Sequence, residues 1–147
     1  MTVRVQGEVF DTGAELTGFA ANRRDVGAVV SFTGIVRDDS GDLERLEIEH
    51  YPAMTASAIE AMVAEATVRW KLEDALVIHR HGPLAVGEVI MMVATAARHR
   101  KDAFEAADFL MDYLKSRAPF WKKEVTTSGT SWVDAKDEDE DALARWS

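Results

Sequence analysis

The feature that most constrains the fold is an uncharged apolar run in the second half of the chain, VIMMVATAA at residues 89–97. A strand that is apolar on both faces has to be covered on both faces, so this run predicts a central strand of a sheet. The preceding run ALVIHRH predicts a second strand, and GPLAVGE between the two predicts a turn region. With 147 residues, of which 47% are hydrophobic, the chain is long enough for one core, and we expect a single domain.

Strand and helix patterns alternate along the rest of the chain, without repeats or low-complexity linkers. TVRVQGEV alternates valine with polar residues, as a half-exposed strand does, and DTGAELTGFAAN predicts a helix capped by Asp11 or Thr12. GAVVSFTGIV and LERLEIEHY predict two strands, and we expect them to form a hairpin because the turn-forming residues DDSG lie between them at 38–41.

Two longer helices and a closing hairpin complete the pattern. Apolar residues at helical spacing follow Thr55, the expected cap: Ile59, Met62, Val63, Ala66 and Trp70. A second helix is predicted from about Lys101 to about Arg117, because Pro119 disfavours a helical conformation at the preceding residue. FWKKEVTT and TSWVDA flank a turn at 128–129 as a hairpin. The fold class is therefore α+β, with at least five strands, mostly antiparallel.

The charge distribution limits the possible partners. The formal net charge is -9, and an acidic surface repels phosphate backbones, so we expect no general nucleic-acid binding, although a small anion can still bind a local basic pocket. The last fourteen residues hold six acidic and two basic side chains. We expect a domain over residues 1–135 and a solvated, partly mobile acidic tail over residues 136–147, with a docking segment as the alternative.

Two further features of the composition concern chemistry and location. Cysteine is absent, which excludes disulfides, thiolate metal sites and a cysteine nucleophile, so any sulfur chemistry needs sulfur from elsewhere. No apolar run approaches the ~20 residues that cross a bilayer, and the N-terminus lacks the pattern of a signal peptide. We therefore expect a cytoplasmic protein without membrane contact.

Four cations surround a proline in DYLKSRAPFWKKE, residues 112–124. At 100° per residue, Lys115 lies where the apolar arc of its helix meets the polar arc, within ~40° of Met111. A lysine at such a seam can be partly desolvated and serve proton transfer or oxyanion binding, or it can simply complement the helix macrodipole. Lys122 and Lys123 follow the proline and point to opposite faces of a strand, so only one of them can join Lys115.

The neighbours of these lysines are less informative. Phe120 and Trp121 either wall the lysine pocket or belong to the core, and their place in a hairpin favours the core. Arg117 lies ~160° from Lys115 around the helix and is expected to face elsewhere.

A second basic cluster, ARHRKD, begins the same helix. Backbone N–H groups at a helix N-terminus favour anions, and His99 with Arg100 strengthens that preference. This end is roughly 20 Å from Lys115 at 1.5 Å of rise per residue. Either the two clusters bind different parts of a ligand, or a second subunit supplies one of them.

The remaining candidates carry weaker signals. His79 and His81 share one strand face, but no third ligand spacing accompanies them, so no metal site is expected. His50 fits a satisfied, half-buried histidine. Arg37 follows a strand, where its guanidinium can reach a phosphate or carboxylate, or pair with one of the two aspartates that follow it. The motifs of nucleotide-binding loops, serine hydrolases and zinc proteases are absent from the sequence.

Four segments, in this order and spacing, resemble one known family. FTGIVRD, EHYPAM, ARHRKDAFEA and above all MDYLKSRAPFWKKE closely resemble the MoaE family, the large, catalytic subunit of molybdopterin synthase. The resemblance extends over roughly Val3 to Ala135. It implies an α/β hammerhead-like fold with an additional antiparallel β-sheet.

The resemblance also implies an activity. Such a sulfurtransferase converts cyclic pyranopterin monophosphate, called precursor Z, into the dithiolene of molybdopterin. The sulfur comes from the C-terminal thiocarboxylate of a small ubiquitin-like, MoaD-type subunit. The implied assembly is a heterotetramer around a homodimer of large subunits, and the step needs no cofactor or metal.

Site residues are carried over by motif. The resemblance implies catalytic roles for Lys115 and Lys122, and substrate-binding roles for Arg37, for the pair His99 and Arg100, and for Met111. The alternative from another class is a non-catalytic dimeric adaptor that binds a ubiquitin-like tail. Both hypotheses predict tail binding, but only the enzyme needs the lysines and a pterin pocket.

Overall fold

The computed structural model describes residues 1–133 and 137–147, and within them the chain forms eight strands and four helices. The strands are β1 (Thr2–Gln6), β2 (Ala28–Ile35), β3 (Leu43–His50), β4 (Asp74–Arg80), β5 (Gly82–Ala85), β6 (Val89–Ala97), β7 (Phe120–Thr126) and β8 (Gly129–Trp132). The helices are α1 (Thr12–Gly18), α2 (Pro52–Trp70), α3 (Arg100–Ser116) and α4 (Asp137–Ala144).

The strands form two four-stranded sheets. Sheet A has the order β1-β4-β6-β2, and sheet B has the order β5-β3-β7-β8. The β1 and β4 strands pair in parallel, and the other pairs are antiparallel. β6 lies between β4 and β2 and is buried from residue 91 to residue 97, which confirms the predicted central strand. The mixture of helices and strands in one domain confirms the α+β class.

Helices cover both faces of sheet A, which explains why β4 and β6 are apolar on both faces. On one face, α2 and α3 pack on the sheet through a cluster that includes Ile59, Val63, Trp70, Val77, Val93, Phe109 and Leu110. On the other face, residues in and around α1 pack on Leu76, Ile78, Met92 and Ala94. Neighbouring residues of β4 thus alternate between two buried environments.

β2 and β3 do not form the predicted hairpin. β2 pairs with β6 in sheet A, whereas β3 pairs with β5 and β7 in sheet B. After β2 the chain binds the turn before β6 instead: Val36 N–H donates to the Glu88 carbonyl oxygen, and Gly87 N–H donates to the Val36 carbonyl oxygen, both at 2.9 Å. The apolar side chains of β3 are buried in a separate cluster of Val36, Leu46, Ile48 and Leu84. Burial of this face, rather than the intervening turn, decides the partner of β3.

Two smaller expectations are also wrong. The predicted turn region contains a strand, because Gly82–Ala85 pair with β3 as β5. α2 begins at Pro52 with Tyr51 as its N-cap, not at Thr55. Proline suits the first turn of a helix because its missing N–H would have no partner there. The buried Thr55 hydroxyl instead donates to the Tyr51 carbonyl oxygen at 2.9 Å.

The C-terminal segment is anchored rather than loose. Residues 137–144 form α4 beside α3, and Arg145 pairs with Asp112 at 2.7 Å. The Trp146 indole N–H donates to the same carboxylate at 2.6 Å, and its ring packs edge-on against Trp70 and Phe109. The acidic composition favours a mobile tail, whereas in the structure Arg145 and Trp146 both hold this segment against α3. The expected boundary between residues 135 and 136 lies outside the described residues.

The predicted closing hairpin is present as β7 and β8. In residues 1–133 and 137–147, no helix has the length and apolar character that a membrane crossing requires.

Candidate active site

Two adjoining cavities open where the end of α3 meets the start of β7. The arginine-side cavity, of about 410 Å³, is lined in part by Arg37, His79, Met111 and Glu124. The tryptophan-side cavity, of about 480 Å³, is lined in part by Phe120, Trp121, Trp132 and Asp139. Lys115 and Lys122 line both cavities. The structure therefore brings together the helix-end lysine and one lysine of the following strand.

The end of α3 explains how the two lysines meet. The N–H groups of Arg117 and Ala118 both donate to the Tyr113 carbonyl oxygen, at 2.8 and 3.2 Å. Pro119 cannot continue the helix, and β7 starts at the next residue. The chain thus reverses within three residues, so the last turn of α3 and the beginning of β7 border the same space.

Strand alternation separates the neighbouring lysines, as predicted. Lys122 lines the cavities, while Lys123 Nζ pairs with Glu47 Oε2 at 3.3 Å and lies 5.3 Å from the ring centre of Trp132. Arg117 pairs with Glu140 of α4 at 2.9 Å and is not part of the lining of either cavity.

Lys115 and Arg37 lie at the rim rather than in the interior. Lys115 is exposed in the single chain, which fits, of the two alternatives, the lysine that complements the helix macrodipole. Arg37 is 77% exposed, and its Nε pairs with Asp39 at 2.8 Å. Both interpretations of Arg37 therefore fit, because an exposed ion pair of this kind is weak and can be exchanged for an anionic ligand.

The two aromatic residues that follow Pro119 have different environments. Phe120 packs against both core clusters that flank it, as expected. Trp121 is 44% exposed and meets Tyr51 edge-on at 4.9 Å, so its expected place in the core is wrong. It forms part of the wall of the tryptophan-side cavity.

The second basic cluster lies at the other end of α3. His99 is the N-cap of α3 without a side-chain cap hydrogen bond, and both His99 and Arg100 are exposed. His99 lines a separate cavity of about 390 Å³ with Arg24 and Arg98. Gly27 lets the loop approach here, because a Cβ at this position would clash with the Arg98 carbonyl oxygen. Within one chain, His99 and Arg100 do not join the two lysines.

Comparisons with known proteins identify the family of this chain. The profile of the family described as MoaE protein matches residues 5–117, more than half of the sequence. The chain belongs to the MoaE family. A molybdopterin synthase catalytic subunit of Cereibacter sphaeroides is 64% identical over 146 residues, covering 99% of this chain and 100% of the relative. One from Mesorhizobium japonicum is 54% identical over 147 residues, covering 99% of this chain and 92% of the relative.

Solved structures of MoaE proteins share the fold. A MoaE protein from Burkholderia ambifaria superposes with a TM-score of 0.84 at 48% identity, covering 99% of this chain and 97% of that one. A chain of the Staphylococcus aureus molybdopterin synthase has a TM-score of 0.81 at 32% identity, covering 89% and 96%. A chain from a Helicobacter pylori complex of subunits 1 and 2 of molybdopterin-converting factor shows the same fold, with a TM-score of 0.76 at 22% identity, covering 92% and 90%.

This MoaE chain also contains a histidine cluster beside the lysines that the sequence did not reveal. The rings of His50 and His81 lie 4.3 Å apart, and the His79 ring stacks on Phe120 at 3.8 Å. His50 Nδ1 lies 3.2 Å from Thr55 Oγ1, which fits the expected satisfied, half-buried histidine. Burial lowers the pKa of His79 to about 3, and the positive charge of Lys122 acts in the same direction.

The histidines of this MoaE chain are not arranged as metal ligands. No group of three or more histidine or carboxylate side chains among residues 1–133 and 137–147 is placed to hold a metal ion. His79 Nδ1 forms a hydrogen bond with the Arg80 carbonyl oxygen at 2.8 Å. The pairing of cations with an open cavity fits an anionic ligand better than a metal.

Proposed function

We propose that this chain is the catalytic large subunit of molybdopterin synthase, a cytoplasmic sulfurtransferase. Its substrates are cyclic pyranopterin monophosphate and the C-terminal thiocarboxylate of a small ubiquitin-like partner. The observation that carries this proposal is the convergence of Lys115 and Lys122 on a shared pair of cavities with Arg37 at the rim. Sequence identities of 64% and 54% to molybdopterin synthase catalytic subunits, each over 99% of this chain, support the same reaction.

The two cavities suit two kinds of ligand. The tryptophan-side cavity is flanked by aromatic side chains and is open at the edge of sheet B, which fits an extended peptide tail. The arginine-side cavity places Arg37, Lys115 and Lys122 around one space, which fits an anionic pterin phosphate. Since both lysines line both cavities, they lie where the thiocarboxylate and the pterin would meet.

The proposed reaction is the one that the resemblance to the MoaE family implies. The thiocarboxylate sulfur bonds to a side-chain carbon of the pterin as the bond from that carbon to oxygen breaks. The oxygen leaves as the opened phosphate ester in one transfer and as water in the other. The sulfur is still attached to the acyl carbon of the partner's terminal glycine at this point, so the product of the step is a thioester-like link. Water then adds to that acyl carbon and breaks its bond to sulfur. The sulfur stays on the pterin, the partner leaves with an ordinary carboxylate, and a second partner repeats the transfer.

The cations stabilise the charges that develop in these steps. Lys115 donates to the oxyanion on the glycine carbonyl, or carries its proton. Lys122 and Arg37 hold the phosphate while the cyclic ester opens. His99 and Arg100 bind the same anion from a second copy of the chain, because α3 separates them from Lys115 in one copy. The resulting assembly is a homodimer of large subunits with a small subunit at each end.

One experiment separates this enzyme from a non-catalytic adaptor. The purified chain is incubated with the thiocarboxylated partner and cyclic pyranopterin monophosphate, and the dithiolene product is detected. We expect product formation that depends on all three components. Binding of the partner without product, at saturating substrate, would favour the adaptor.

A further inference from the structure

His79 makes a contact that joins the two sheets beside the lysines. It belongs to β4 of sheet A, is 3% exposed, and lines the arginine-side cavity. Its ring stacks on Phe120, the first residue of β7 in sheet B, with 3.8 Å between the ring centres and 17° between the planes. The stack therefore lies where the strand that carries Lys122 begins.

The His79 ring is uncharged. Its Nδ1 lies 2.8 Å from the Arg80 carbonyl oxygen, and because a carbonyl oxygen only accepts, Nδ1 carries the proton. Burial holds the pKa of the ring at about 3, so it takes up no second proton near neutral pH. A charged ring at this position would repel Lys122, whose charge already acts on His79.

Phe120 and Lys122 leave the same strand close together. Residues two apart in a strand point to the same face, so the Phe120 ring and the Lys122 side chain leave β7 on one side. In the β3–β7 ladder, Phe120 pairs with His50 and Lys122 pairs with Ile48. His79 approaches this face from sheet A and stacks on the first of the two side chains.

We propose that His79 is a positioning residue for Lys122: its uncharged ring seats Phe120, and through Phe120 it holds Lys122 toward Lys115 without adding a fourth positive charge to the arginine-side cavity. The catalytic consequence rests on the proposed function. The positioning itself does not, and it can be measured without turnover.

The first test is the reactivity of Lys122 toward acetic anhydride, read by mass spectrometry at each lysine. We expect His79→Ala to raise the acetylation rate of Lys122 by about threefold or more, because the start of β7 loses its support. Lys123, which pairs with Glu47, is the internal standard and keeps its rate. His79→Phe retains an uncharged ring and is expected to restore the Lys122 rate. An unchanged Lys122 rate in His79→Ala overturns the proposal.

The second test is the rate constant of product formation at saturating partner and pterin. We expect a loss of about tenfold or more in His79→Ala with partner binding unchanged, and recovery in His79→Phe. Ile78→Val is the matched control, because Ile78 is the neighbouring buried residue of β4 and points to the opposite face. It lowers the melting temperature without altering this rate. A similar rate loss in Ile78→Val, or full activity in His79→Ala, would assign His79 a purely structural role. Failure of the wild-type chain to form product would reject the proposed function, while the labelling result would still decide the positioning.

Discussion

Lys123 and Glu47 are partners in the ladder between β3 and β7, and their charged atoms, Nζ and Oε2, lie 3.3 Å apart. This pair occupies the face of β7 opposite Lys122. Two adjacent lysines therefore have different tasks: one neutralises a carboxylate within sheet B, and the other borders the cavities shared with Lys115.

The first prediction compares these two lysines. Lys122→Ala should lower product formation by about 100-fold or more, because it removes a cation that holds the anionic substrate. Lys123→Ala should change activity far less and stability by no more than about 1 kcal/mol, since it removes a partly exposed ion pair. Steady-state rates and urea unfolding of both variants test this. Equal losses of activity would show that the assignment of faces is wrong.

The second prediction concerns Lys115. Lys115→Ala should nearly abolish product formation, with a loss of at least about 100-fold, because it removes the group that meets the developing oxyanion. The side chain is exposed, so stability should change by less than about 1 kcal/mol. Partner binding, measured by titration calorimetry, should persist. Activity within about twofold of wild type would remove Lys115 from the mechanism.

The third prediction tests whether the site is shared between two copies. A heterodimer of a Lys115→Ala subunit and an Arg100→Ala subunit, purified through two different tags, retains one intact composite site if Arg100 acts on the neighbouring copy. We expect about half of the wild-type activity, because one of two sites remains. Both parent homodimers should be inactive. Activity as low in the heterodimer as in the parents would place Arg100 in the same copy as the lysines it serves, or outside the site.

The fourth prediction concerns the C-terminal anchor. Trp146→Ala should lower the free energy of unfolding by roughly 1–3 kcal/mol, because it removes ring contacts with Trp70 and Phe109 and a hydrogen bond to Asp112. Val68→Ala, at a position that is 81% exposed on α2, is the control and should change it by less than about 0.5 kcal/mol. Equal effects of the two substitutions would contradict the anchoring role of Trp146.

The fifth prediction is a pH dependence of stability. The unfolded chain protonates His79 near pH 6.5, whereas the folded chain does so only near pH 3. Between these values the unfolded state binds more protons, so the folded state loses stability as the pH falls, by at most about 1.4 kcal/mol per pH unit from this residue.

The variant His79→Phe should flatten this dependence between pH 6.5 and about pH 4.5, above the range in which carboxylates titrate. Part of the slope should remain, because burial also lowers the pKa of His50, with His81 adding to the effect. Urea unfolding at several pH values measures both slopes. Identical slopes for the two proteins would show that His79 takes no part in the dependence.

The sequence alone determined those features that follow from local rules. The apolar run of β6 demands cover on both faces, and a proline after Arg117 ends a helix whatever lies around it. The period of a strand separates Lys122 from Lys123 without knowledge of the sheet. The resemblance of the lysine segment to the MoaE family added the chemistry, which neither charge nor spacing could supply.

Only the tertiary structure decided which elements meet. A strand pattern shows how much of a strand is buried, but it does not show which strand lies beside it. The turn after β2 therefore predicted a hairpin of β2 and β3. That prediction is wrong because β3 buries Leu46 and Ile48 in sheet B instead. The acidic composition of the C-terminal segment predicts mobility because composition averages over residues, whereas contact with α3 depends on individual side chains such as Arg145 and Trp146. The sequence assigned no role to His79, which lies in the wall of the arginine-side cavity and stacks on Phe120 of the other sheet. Such contacts depend on long-range packing, and no local period or propensity encodes them.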